Sequence, residues 1–145
     1  MTIPLPSPLL ALTLQQPWAA AVRDLDKRVE NRGWPPPAHV LGQYVAIHAG
    51  KTFDERGAAW IEAHFGSSYS PRNTAAGAIV ALARLSEVTS SRSDPWFSGP
   101  YGWVFDNVIP LEPVACRGAG HLWPVPENIR AQVAKQASEE KSAPT

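Results

Sequence analysis

Several stretches of this chain alternate hydrophobic and polar positions with a period of two. Leu10, Leu12 and Leu14 stand against Ala11 and Thr13, which predicts a strand with one buried face. Residues 43–48 set Tyr44, Ala46 and His48 against Val45 and Ile47, a second strand. Residues 77–88 are apolar on both faces as far as Arg84, the mark of a strand covered on both sides. Tyr101, Trp103 and Phe105 alternate in a further strand that resumes after Asp106-Asn107 as residues 108–111, while 112–116 and 121–123 read as short, edge-like strands. Helical spacing is rarer. Trp18, Ala21, Val22 and Leu25 form one apolar stripe behind Pro17, a residue suited to a first helical position. Residues 53–65 carry Phe53, Trp60, Ile61 and Phe65 on one face, with Thr52 and Glu55 spaced as a capping box and Gly66 at the far end. Pro126 opens a last helix anchored by Ile129 and Val133.

Strands and helices do not alternate regularly, which disfavours a doubly wound parallel sheet. The expected fold class is α+β, mainly β: a small mixed β-barrel of about six strands with two or three peripheral helices. Residues 1–9 are Pro-rich and read as a flexible arm, 10–136 as one domain, and 137–145 as a disordered, solvated tail.

Composition narrows the function classes. The chain has 145 residues and a formal net charge of zero, so a strongly basic nucleic-acid coat is excluded while a local basic groove is not. Its single Cys, Cys116, excludes an internal disulfide and a multi-cysteine zinc site. His39, His48, His64 and His121 lack metal-ligand spacing, so neither metal nor cofactor is expected. The first residues have no signal-peptide pattern, and no apolar run approaches the roughly eighteen residues of a membrane span. A soluble cytoplasmic monomer with no membrane partner is the expectation.

Residues 12–34 concentrate the candidate chemistry. They hold two Trp, four Lys or Arg, three Asp or Glu and two adjacent Gln. Lys27–Arg32 alternates as a strand with polar residues on both sides, so it is either an edge strand or the wall of a wet cleft. A regular strand would put Lys27 and Glu30 on opposite faces; joint action requires a bulge or strong twist. Lys27, Arg28 and Arg32 suit one or two phosphates, a set that supports weak, salt-sensitive binding. Trp18, Trp34, Trp96 and Trp103 are stacking faces or core residues. Trp60 reads as core. Gln16 can read a base edge, with donor and acceptor together. Glu30 accepts from an exocyclic amine or pairs with a cation, and the three charges equally suit a surface salt-bridge ladder. His48, at a strand end beside a Gly-containing loop, and Tyr101 complete the candidate binding set. His64 reads as a hydrogen-bonded core residue, and Cys116 as a neutral thiol.

Gln16-Pro17-Trp18-Ala19 followed by Lys27, Glu30, Arg32 and then Trp34 resembles the ASCH family, a branch of the PUA-like β-barrels. Both halves of that pattern, and the Trp after it, occur in the subgroup found in eukaryotic transcription coactivators. Leu25 departs from the pattern, standing where the family has Gly; Asp26 is then the residue expected to turn the chain in a left-handed conformation. The resemblance implies a PUA-like barrel that binds single-stranded RNA, DNA or a nucleotide in a cleft beside the first helix. One small bacterial branch hydrolyses the amide of N4-acetylcytidine with a Lys at the position of Lys27, a Thr where this chain has Glu30, and a later Glu for which Glu87 is the candidate. Binding is therefore the leading expectation. A hydrolase of a modified nucleoside or of RNA, with Lys27 and Glu30 catalytic, is the alternative, and a protein-interaction module is the third.

Overall fold

The computed structural model describes residues 3–142. Its elements run β1 (Leu10–Gln16), α1 (Trp18–Asp24), β2 (Val29–Arg32), a 3₁₀ turn (Ala38–Val40), β3 (Tyr44–Phe53), α2 (Glu55–Phe65), β4 (Ala78–Thr89), β5 (Tyr101–Ala115), β6 (Leu122–Pro124) and α3 (Glu127–Ser142). All six strands form one mixed sheet in the order β2-β5-β4-β3-β1-β6. β1 and β3 are parallel, joined by the crossover that contains α1 and β2; the other neighbours are antiparallel. The expected class, strand number and helix number hold.

The alternation places the core on both faces of this sheet. Leu12, Leu14, Val45, Ile47, Leu85, Trp103 and Phe105 pack with Ala19 and Val22 of α1. Ala11, Tyr44, Ala46, Ile79, Leu82 and Ile109 face the other way and meet Val133 and Ala137 of α3. β4 contributes to both layers, as its two apolar faces require. A third cluster joins Ala21, Val29, Ile61, Trp96 and Val104 beneath α1 and α2.

Closure into a barrel is the first correction. The sheet is open, because the edge strands are too short to find each other: β2 has four residues and pairs only with β5, and β6 has three and pairs only with β1. Side chains bridge the seam instead. Arg32 on β2 donates from Nη2 to the Thr13 carbonyl of β1 at 2.8 Å, and the rings of Trp34 and His121 meet at 5.1 Å. Two strands expected across 101–116 are one long β5.

The chain ends also differ from expectation. Arg130 of α3 donates to the carbonyls of Leu5 at 3.0 Å and Pro6 at 2.8 Å, while Ile3 and Leu5 pack on the core, so this arm is fastened. α3 continues through Ser142, with Ala137 buried, where a disordered tail was expected. Residues 1–2 and 143–145 of those two segments lie outside the described residues. No helix among the described residues is long and apolar enough to cross a membrane.

Candidate functional site

The site is built where β1 hands over to α1. Gln16 is 3% exposed and spends its amide on the fold: Oε1 accepts the Ala20 N–H and Nε2 donates to the Ala75 carbonyl, both at 2.9 Å. Its backbone carbonyl accepts from the Asp54 N–H at 2.6 Å. A glutamine so engaged reads no base, which corrects that expectation. The next link is Asp54, the N-cap of α2, in place of the Thr52 capping box. Its Oδ1 accepts the Gly57 N–H at 2.9 Å and its Oδ2 accepts the Trp18 indole N–H at 3.0 Å, so one carboxylate ties the starts of α1 and α2 together. The Gly57 N–H holds this carboxyl below the usual carboxylate range; burial opposes the shift and the Trp18 indole reinforces it. Gly57 is needed here because a Cβ would lie 2.5 Å from Cζ2 of Trp18.

α1 ends at Leu25 in extended backbone, not through a left-handed Asp26; among the described residues only Asn107 and His121 are non-glycine residues with positive φ. Arg28 steadies this turn by donating to the carbonyls of Val22 and Leu25 at 3.3 and 3.4 Å, and it lines neither the cleft nor the groove described below. β2 starts only at Val29, which resolves the question of opposite faces. Lys27 lies ahead of the strand and reaches back, donating to the Val29 carbonyl and to Glu30 Oε1 at 3.0 Å. Glu30 Oε2 meets Arg32 Nη2 at 3.1 Å. Lys27, Glu30 and Arg32 form one chain of alternating charge, with Lys27 2% exposed and its Nζ 5.9 Å from the Trp18 ring centroid. This is not a solvated surface ladder.

Above the triad opens a cleft of about 570 Å³. Trp18, Trp60 and Trp96 supply its apolar walls, and Lys27, Glu30, Asn31, Asp54 and Arg56 its polar groups. Trp60, half-buried, packs on the third core cluster and also lines the cleft; Trp103, fully buried, is core. The loop carrying Trp96 is pinned by Asn31, whose Nδ2 donates to the Trp96 carbonyl at 2.9 Å and whose Oδ1 accepts the N–H groups of Ser98 and Gly99. Phe65 stacks on Trp96 at 4.4 Å, and His64, exposed, stacks on Trp60 at 4.3 Å. The cleft runs on into a groove of about 490 Å³ along β2, which shares Trp18, Glu30 and Asn31 with it and adds Thr13, Gln15, Arg32 and Trp34.

Of the candidate residues, the fold thus brings together Trp18, Lys27, Glu30, Arg32 and Trp34. Trp34 stands edge-on to Trp103 at 4.9 Å, and its carbonyl accepts the Trp103 indole N–H. Tyr101 pairs with Arg32 across the strands but packs against the core, outside the cleft and groove walls. His48 lies apart, on β3. Its Nε2–H donates to the Cys116 carbonyl at 2.6 Å and its Nδ1 accepts from Thr13 Oγ1 at 3.1 Å, which in turn accepts the Trp123 indole N–H at 3.0 Å. Burial pushes the His48 pKa below its ordinary value, with the Cys116 hydrogen bond opposing. Partial burial likewise raises the Cys116 thiol. Glu87 is 61% exposed in its side chain, sits 3.7 Å from Arg92 and does not line the cleft that holds Lys27, so the candidate for the later Glu fails. No group of three or more potential metal ligands occurs among the described residues.

The sequence points to Trp96 as a stacking face or core residue but not to Asn31, Asp54, Arg56, Trp60, Pro95 or Ser98 as site residues. For Asp54 a signal existed: an Asp directly before a helical pattern is a strong N-cap.

No protein-family model matches the chain, and no curated protein matches it. Its fold is similar to the crystal structure of ASCH from Zymomonas mobilis, with a TM-score of 0.57 and 14% identity, covering 90% of this chain and 96% of that one. Two single-residue mutants of that ASCH protein align with TM-scores of 0.55 and 0.52 at 13% identity, each over 88% of this chain and 97% and 95% of theirs. At these identities the likeness is one of fold.

Proposed function

We propose that this chain is an ASCH protein that binds single-stranded nucleic acid, or a nucleotide, with one base in the Trp18–Trp60–Trp96 cleft. The carrying observation is that cleft: three indoles around about 570 Å³, a volume suited to a small ligand, above a charge triad whose lysine is buried. Stacking on an aromatic wall contributes about 1–3 kcal/mol per base. Arg56, exposed and without an ion pair among the described residues, stands at the rim for a phosphate. Co-occurrence of Gln16-Pro17-Trp18-Ala19 with Lys27, Glu30 and Arg32 supports the coactivator-type subgroup. The geometry favours binding over hydrolysis. Lys27 gives two of its three N–H donors to Glu30 and Val29, the contacts of a cation held in place, whereas an attacking or proton-accepting amine needs a free lone pair.

Tryptophan fluorescence, titrated at low salt with nucleoside monophosphates and short RNA and DNA strands, tests this. The expected result is quenching that weakens with salt and with Arg56→Ala. The same mixtures, including N4-acetylcytidine, are expected to be chemically unchanged on analysis. Unchanged fluorescence across the whole panel would overturn the reading.

A further inference from the structure

A second cleft, of about 720 Å³, opens on the other side of Thr13. Its chemistry differs from the first. Gly50, Gly77 and Gly118 leave backbone bare along its walls, and the charged side chains lining it are Lys51 and Arg117. Both are exposed, and neither has a carboxylate partner among the described residues. Seven of the ten other Lys and Arg side chains among the described residues are ion-paired, so in a molecule of zero net charge this is a local positive field.

The floor adds no charge and no base-reading group. His48 has both ring nitrogens engaged, and Thr13 Oγ1 is held between His48 and Trp123. The loop presses directly on them: a Cβ on Gly118 would lie 2.5 Å from His48 Cε1 and 3.0 Å from Thr13 Oγ1. A recess that offers two cations and bare backbone, with no indole wall, suits a phosphate and not a base. Thr13 is also a wall of the Arg32–Trp34 groove, which itself shares Trp18, Glu30 and Asn31 with the indole cleft. The three recesses are therefore linked by shared wall residues, the second cleft to the groove through Thr13 and the groove to the indole cleft through Trp18, Glu30 and Asn31.

From this we infer that the ligand is a strand of several nucleotides and not a free nucleotide: one base enters the indole cleft, and the backbone continues along the Arg32 groove to Lys51 and Arg117. The inference rests on the proposed base cleft and deepens it. The experiment compares nucleoside monophosphates with a single-stranded hexanucleotide, as RNA and as DNA, on wild type and on Lys51→Gln/Arg117→Gln. Both residues are exposed, and circular dichroism checks that the fold is kept.

The hexamer is expected to bind wild type at least tenfold more tightly than any monophosphate. Losing two phosphate contacts flattens the plot of log affinity against log salt by about 1.4 for a single strand. Between 50 and 200 mM salt, wild type then loses about sevenfold more affinity for the hexamer than the double variant does. Monophosphate binding stays the same in both proteins. A hexamer no tighter than a monophosphate, or a double variant with the wild-type salt slope, overturns the inference and leaves the base cleft standing. Equal loss of monophosphate and hexamer binding also overturns it, since Lys51 and Arg117 would then not form a separate subsite. Failure of every ligand overturns both readings.

Discussion

Lys27→Met removes the ammonium from the triad while keeping an unbranched side chain of similar length. Two contacts go: the hydrogen bond to the Val29 carbonyl and the 3.0 Å pair with Glu30 Oε1. The lysine is 2% exposed and the Glu30 side chain 13%, so water reaching Glu30 through the cleft replaces the lost partner only in part. Breaking a buried pair by removing one member costs about 3–5 kcal/mol, because the other charge stays buried. Glu30 keeps Arg32 at 3.1 Å, which places the expected cost at the low end, about 3 kcal/mol. For a domain of this size that lowers the melting temperature by about 6–12 °C. The measurement is urea unfolding of Lys27→Met, Glu30→Gln and the double variant, with the m-value unchanged so that midpoints report stability. A coupling of about 1–3 kcal/mol is expected between the two sites. A Lys27→Met cost below about 1 kcal/mol, with no coupling, would refute the idea that the triad supports the fold as well as the cleft.

Two further outcomes follow from the same geometry. Gly57→Ala adds a methyl 2.5 Å from the Trp18 ring; overpacking of about 1–3 kcal/mol outweighs a helix-propensity gain of up to about 1 kcal/mol, so lower stability and a shifted tryptophan emission are expected in thermal unfolding and fluorescence. His48 is depressed from its ordinary 6.5, so below that pH the unfolded chain binds more protons than the native one; its stabilising contribution is present above pH 6.5 and is lost as pH falls toward and through the folded value. Urea midpoints measured downward from pH 7.5 should show that decline, and His48→Gln should remove it; a flat wild-type profile would contradict the reading.

The strands were legible where alternation was strong. β1 and β3 begin where period-two patterns placed them, since a slip of one residue would move their buried side chains to the other face, although β3 runs on to Phe53; β4 was legible as an apolar run covered on both faces. α2 was visible from its stripe and from Gly66, which does take the left-handed cap. Closure was not legible, since it depends on the lengths of β2 and β6 and not on their patterns. The site was half visible. Lys27, Glu30 and Arg32 were found, but their meeting depends on where β2 begins, a boundary the alternation of residues 27–32 hides. Gln16 misled because an amide suited to a base edge is equally suited to the Ala20 N–H and the Ala75 carbonyl. For Trp60 only half of its role was legible: the helical stripe packs it on the core, but its ring also meets Trp18 and Trp96, which leave a cleft between α1, α2 and the 95–98 loop.

Arg32 shows how the open seam and the site are linked. Its Nη2 serves two masters, the Thr13 carbonyl across the seam and Glu30 in the triad. Among the described residues its Nε is buried without a partner, a feature that costs the fold about 1–3 kcal/mol. Its Nη1 has no hydrogen-bond partner among the described residues and is not one of the buried unpaired atoms, so it is the donor left over for the groove. A lysine can replace the Nη2 contacts with one ammonium and removes the orphaned Nε–H, but it cannot hold the seam and also present a second, planar donor. Arg32→Lys is therefore expected to keep stability within about 1 kcal/mol of wild type, since the lost clamp and the removed orphan offset each other. Binding should fall by about tenfold or more, the loss of one hydrogen bond from a charged donor. Unfolding midpoints and fluorescence titrations on the same preparation separate the two effects. A variant that binds as wild type does would show that the guanidinium is there only to close the sheet. One that unfolds far more easily would show that the seam, and not the ligand, is what requires an arginine.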